Sequence, residues 1–305
     1  MKKVIEIDSL TKSYGPVKAV KGISFSVREG ELFAFLGENG AGKSTTINII
    51  CGQLKKDAGS VIIDGKNIET DLNAIKGKLG VVFQSSLLDK ALSVYSNLES
   101  RAALYGITGK AFEARLAEIC ELLDISDLLK RTVGKLSGGQ RRRIDIARAL
   151  IHKPDILFLD EPTTGLDPQT RKLLWQVIDK LRKENKMTVF LTTHYMEEAA
   201  EADYVIILES GTIAAEGTPL ALKNAYVRDF VTVYGRTKEE LAVLDMPCET
   251  VRDGFRFSVA STKDATDMIV KHPSLFTDYE ITKGKMDDVF LAVTGKKLTG
   301  GVNND

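Results

Sequence analysis

The stretch Gly37-Glu38-Asn39-Gly40-Ala41-Gly42-Lys43-Ser44-Thr45 decides the architecture of this chain. It stands between two apolar runs, Leu32-Phe33-Ala34-Phe35-Leu36 before it and Thr46-Ile47-Asn48-Ile49-Ile50 after it. Four residues separate Gly37 from Gly42-Lys43-Ser44, the G-x-x-x-x-G-K-[ST] pattern of a loop that cradles phosphate between a strand and a helix. Glycines let the backbone bend where side chains would clash, so that amide groups converge on a polyphosphate at the helix N-terminus. Lys43 supplies a mobile positive charge and Ser44 a hydroxyl suited to Mg²⁺. Thr45 opens a helix whose unsatisfied donors and dipole favour an anion.

The 305 residues are enough for two modest domains. Charged residues make up 28% and hydrophobic ones 43%, and 42 basic side chains balance 42 acidic ones, so no basic excess points to nucleic acid. Apolar runs fall well short of the ~20 residues of a membrane span, and the first residues lack the apolar core of a secretory leader; a cytoplasmic protein is expected. Cys51, Cys120 and Cys248 are too dispersed for a disulfide framework or a metal site, and His152, His194 and His272 are equally scattered.

Upstream of the loop, residues 3–36 alternate apolar and polar positions with turns at Gly15-Pro16 and Glu29-Gly30, which predicts a small antiparallel strand set. Tyr14 falls in its first turn, where an aromatic ring could stack on adenine or simply pack. Downstream, residues 59–64 and 80–83 read as strands, the second closing at Gln84, whose amide could reach Mg²⁺ or an attacking water. A helical lobe is expected over about 88–135, marked by Leu116, Ile119, Cys120, Leu122 and Leu123. Leu136-Ser137-Gly138-Gly139-Gln140 follows at the start of a further helix, a second place for an anion.

Ile156-Leu157-Phe158-Leu159 predicts a buried strand that delivers Asp160 and Glu161 to its C-terminal end, where ligands bind in open parallel sheets. Asp160 suits a Mg²⁺ shell, and Glu161 is placed to take a proton from water attacking a γ-phosphate. After the loop 163–168 and an amphipathic helix, residues 188–193 predict another buried strand, ending in His194, which can bond a phosphate oxygen.

Across residues 2–220 these motifs, in this order, resemble the ATP-binding subunit of an ABC transporter. Gly37–Thr45 resembles Walker A, Gln84 the Q-loop glutamine, Leu136–Gln140 the signature motif, Ile156–Glu161 Walker B with its catalytic glutamate, and Leu166-Asp167 the D-loop. His194 resembles the switch histidine and Tyr14 the A-loop aromatic. The resemblance implies ATP and Mg²⁺ as ligands and an α/β P-loop core with an antiparallel β subdomain and an inserted helical subdomain. It also implies a head-to-tail dimer, with itself or a homologue, in which the signature residues act on ATP held by the partner. The chain would sit on the inner face of the membrane beside a separate integral-membrane permease.

Gly138–Arg143 with Asp145, Thr164–Asp167 and Met286-Asp287-Asp288-Val289-Phe290 resemble the branch that includes daunorubicin-type exporters, which implies export of a drug, antibiotic or similar amphiphile. Arg141-Arg142-Arg143 also reads as a solvated helix face. The competing class is a soluble ABC ATPase acting on nucleic acid or ribosomes. Those proteins usually carry two ATPase domains or a long coiled-coil insert, whereas this chain has one set of motifs and neutral charge. Residues 225–295 predict a separate βαββαβ-like accessory domain without a recognisable site, and 296–305 a flexible tail.

Overall fold

The computed structural model describes residues 2–295; the tail expected to be flexible, 296–305, lies outside them. The chain divides into two compact units, Met1–Ala214 and Ala215–Asp305.

The first unit opens with β1 (Lys3–Tyr14) and β2 (Val17–Arg28), followed by β3 (Leu32–Leu36), α1 (Lys43–Ile50), β4 (Ala58–Ile63), β5 (Lys66–Asn67), α2 (Leu72–Lys76) and β6 (Leu79–Val82). Then come α3 (Val94–Ala103), α4 (Gly109–Leu123), α5 (Gly138–Leu150), β7 (Ile156–Asp160), α6 (Pro168–Asn185), β8 (Thr188–Thr193), α7 (Met196–Ala200), β9 (Tyr204–Glu209) and β10 (Thr212–Gly217), the strand in which the division at Ala214 falls. One sheet has the order β2-β1-β4-β5 and the other β10-β9-β3-β8-β7-β6. The antiparallel set expected over 3–36 therefore stops at Arg28. Leu32–Leu36 is buried throughout and pairs in parallel with both β8 and β9. A run without polar alternation needs cover on both faces, and only the middle of a parallel sheet supplies it.

Phenylalanines lock the two sheets together. Phe25 of β2 lies 5.5 Å from Phe33 and 5.2 Å from Phe35, while Phe190 of β8 lies 5.0 Å from Phe33 and 5.2 Å from Phe158. Burying each ring stabilises the unit by about 1.5–3 kcal/mol. The parallel pairing of β3, β6, β7 and β8 brings their C-terminal ends to one edge, and those ends lead into Gly37, Gln84, Glu161 and His194. In the helical lobe, α4 buries Phe112, Leu116, Ile119, Cys120 and Leu123 at helical spacing, while Leu122 is only partly covered.

The second unit runs α8 (Pro219–Tyr226), β11 (Asp229–Tyr234), α9 (Lys238–Leu241), β12 (Cys248–Val251), β13 (Gly254–Val259), α10 (Thr262–Lys271), β14 (Tyr279–Thr282) and α11 (Met286–Thr294). Between its flanking helices this is a β-α-β-β-α-β succession. The sheet order is β12-β13-β11-β14 with every pair antiparallel, over a core of Val231, Val233, Leu241, Phe257 and Met268. β12 supplies the second strand of the expected βαββαβ pattern; its position has no signal of its own, because a four-residue edge strand carrying Glu249 has too little apolar alternation to register.

Candidate active site

β3 hands the chain to Gly37, and the loop closes into α1 at Gly42, whose φ of 103° lies in the left-handed region. α1 has neither a side-chain cap nor an acidic residue in its first turn, so its leading amides are open to an anion. Close packing explains the glycines: a Cβ on Gly42 would lie 2.5 Å from Ala19 O, and one on Gly37 would lie 2.6 Å from Leu208 O. Gly42→Ala is accordingly expected to lose nucleotide binding and about 1–2 kcal/mol of stability. Calorimetric titration with ATP and a thermal melt check both; an unchanged melt with full affinity would contradict the packing argument.

The Lys43 side chain, 4% exposed, folds back over its own loop. Its ammonium donates to Gly37 O at 2.6 Å and Glu38 O at 3.0 Å and stands 3.7 Å from Glu161 Oε1. Burial lowers its pKa below the usual lysine value, and the neighbouring Glu161 and Asp160 oppose that shift.

Glu161 is where separate motifs meet. Its Oε2 accepts from Gln84 Nε2 at 3.2 Å and from Thr164 Oγ1 at 3.4 Å, and lies 3.5 Å from His194 Nδ1. Its backbone has φ 45°, and its N–H donates to Thr192 Oγ1 at 3.0 Å. Thr192 Oγ1 in turn donates to Asp160 Oδ1 at 2.6 Å, and Ser44 Oγ reaches the same oxygen at 3.2 Å. Ser44 hydroxyl, Asp160 carboxylate and the Gln84 amide are oxygen donors of the kind a hard divalent cation takes.

Other predicted residues lie apart from this cluster. Tyr14 ends β1 rather than occupying the turn, is 49% exposed, and has the Lys12 ammonium 5.9 Å from its ring centroid. Ser137 caps α5: its Oγ accepts from Gln140 N at 3.2 Å while Gln140 Oε1 accepts from Ser137 N at 3.0 Å. That capping box does not use the Ser137 hydroxyl proton, which is left to donate to an anion. Within one chain Gly138 shares a cleft of about 210 Å³ with Gln84, Arg142, Asp145, Glu161 and Thr164.

Two buried charges beside this cluster escaped the sequence reading. Arg142 is not on a solvated face: it is 8% exposed and donates to four main-chain carbonyls, those of Phe83, Asp160, Glu161 and Pro162. Arg141 and Arg143 stay partly exposed and bond the carbonyls of Leu136 and of Leu123 and Asp124. Glu198 of α7, 3% exposed, accepts from Thr163 and, at 2.7 Å, from Thr193, tying the loop after Glu161 to the strand end before His194. Burial raises the Glu198 carboxyl pKa, and the two hydroxyls oppose the shift.

Fold and site together define a P-loop ATPase. The ABC transporter family matches residues 20–164. Over 300 residues the chain is 35% identical to Nod factor export ATP-binding protein I of Burkholderia orbicola (strain AU 1054), covering 96% of this chain and 98% of that protein. It is 34% identical over 303 residues to daunorubicin resistance ATP-binding protein DrrA3 of Streptomyces coeruleorubidus, covering 95% and 96%. Among solved structures it is similar to the dimeric post-hydrolysis state of the ATP-binding cassette MJ0796 bound to ADP and Pi. That likeness has a TM-score of 0.66 at 30% identity, over 70% of this chain and 98% of that one. The chain belongs to the ABC transporter family as an ATP-hydrolysing subunit, whose general role is to energise a separate permease. Among its described residues no helix is long and apolar enough to cross a membrane.

Proposed function

We propose that Gly37–Thr45 binds Mg²⁺-ATP and that Glu161, Gln84 and His194 carry its hydrolysis. We further propose that the chain pairs head to tail with a second copy or a homologue, on the cytoplasmic face of the membrane, to drive export of an amphiphilic, drug- or antibiotic-like molecule. The observation that carries the site is the convergence of Lys43, Gln84 and His194 on one carboxylate. Relatives named for Nod factor export and daunorubicin resistance match over nearly the whole chain, which supports the direction of transport.

In this reading the open amides of α1 and Lys43 hold the phosphates, and the signature residues Leu136–Gln140 close over the partner's nucleotide from their own helix N-terminus. Glu161 takes the proton of the water whose oxygen bonds to the γ-phosphorus as the bond to ADP breaks. His194 orients that water and the γ-phosphate. Ser44, Asp160 and Gln84 would hold Mg²⁺, which when bound neutralises charge on the phosphate oxygens.

Purification from detergent-solubilised membranes tests the transport assignment. The full chain is expected to co-purify with an integral-membrane protein, and adding that protein in lipid vesicles should raise ATP turnover. Recovery with nucleic acid or ribosomes and no membrane partner would overturn it.

A further inference from the structure

Helix α5 bears the signature residues at its start and, just beyond them, two buried charges whose partners lie in the catalytic loops. Arg142 donates from Nη1 to Phe83 O at 2.6 Å, from Nε to Pro162 O at 2.9 Å, and from Nη2 to Asp160 O at 3.1 Å and Glu161 O at 3.2 Å. Asp145, 7% exposed, accepts from Ser86 Oγ at 2.9 Å. The two side chains therefore bracket Gln84 in sequence, through Phe83 on one side and Ser86 on the other, and Arg142 alone also grips the carbonyls on both sides of Glu161.

These contacts matter because of what they bracket. Gln84 and Glu161 meet at 3.2 Å, and Glu161 holds φ 45°, a conformation a residue with a Cβ keeps only when its surroundings fix it. A planar guanidinium with five donors spread in fixed directions can serve four carbonyls from two separate loops; an ammonium has three donors at a single point. The hydrogen bonds of the buried Arg142 guanidinium go to main-chain carbonyls, with the carboxylates of Asp145 and Asp160 balancing its charge from further off.

We propose that Arg142 and Asp145 are positioning residues that set the Gln84–Glu161 contact from α5, so that hydrolysis follows the placement of the signature helix. A displacement of α5 carries the entry and exit of the Gln84 loop and the carbonyls of 160–162 with it. This rests on the roles proposed above for Gln84 and Glu161.

The test compares ATP turnover of the full chain in Arg142→Lys, Asp145→Ala and Gln84→Ala, and in each of the first two combined with Gln84→Ala. Each of the two α5 variants should lower kcat by on the order of tenfold while KM for ATP moves less than about threefold, the signature of an interaction realised in the transition state. Combined with Gln84→Ala, the losses should be smaller than the product of the single effects, because they act through one contact. A kcat within about twofold of wild type in either variant would overturn the inference, as would a loss confined to KM or full multiplicativity with Gln84→Ala. Should Arg142→Lys fail to fold, Asp145→Ala, which removes the acceptor of the Ser86 bond, decides alone. Glu161→Gln separates the two levels: if it turns over normally the site assignment fails, whereas if it is inactive and the α5 variants are normal only this inference fails.

Discussion

Glu161→Gln is expected to bind ATP as tightly as the wild type while turnover falls by about 10²–10³-fold, the scale of losing one acid-base or charge-stabilising group. The amide is isosteric, so Gln84 and Thr164 keep an oxygen to donate to, at the 3.2 and 3.4 Å now seen. It cannot accept a proton from water, and it carries no charge opposite Lys43 and His194. Removing a carboxylate from beside the γ-phosphate also removes a repulsion, so the nucleotide-bound dimer should persist instead of reopening. Phosphate release, nucleotide affinity and light scattering measure the three effects. Turnover within a few-fold of wild type would mean that another group takes the proton.

What could be read from the sequence follows from how local each signal is. Gly37–Thr45 and Ile156–Glu161 are contiguous, and each joins a strand to a ligand-bearing loop, so residue type and neighbours suffice. Gln84 and His194 are single residues at strand ends, where resemblance to a family supplied the role and the parallel register of β6, β7 and β8 supplies the proximity. Arg142 was hidden because its partners are main-chain carbonyls, which have no residue signature, and because Arg141-Arg142-Arg143 resembles a charged surface. Glu198 was hidden in the same way: beside Glu197 it reads as an exposed acidic helix start, and only the fold brings Thr163 and Thr193 to it. Leu32–Leu36 was misplaced because an apolar run states that a strand is buried, not which sheet it joins.

Lys43→Met should weaken ATP binding by about 1.5–3 kcal/mol, the range for a hydrogen bond to a charged group, or on the order of 10–100-fold in Kd. Methionine keeps the apolar stem in its buried slot, so the loss isolates the ammonium. Folding without nucleotide should depend on Lys43 through pH. The Lys43 pKa is lowered in the fold from the ordinary 10.5, which means the charged form is disfavoured there. That cost is present in full below the folded-state pKa and is relieved as pH rises from it towards 10.5, so wild-type stability should gain on that of Lys43→Met across this interval. At neutral pH the melt also carries the loss of the bonds to Gly37 O and Glu38 O, so the alkaline trend is what reports the burial of the ammonium, while the variant should hold ATP far less well. Thermal melts across the alkaline range, paired with calorimetric titration of ATP, separate the two. A melt that falls together with affinity would mean that Lys43 holds the loop in shape, and unchanged affinity would remove it from the phosphate site.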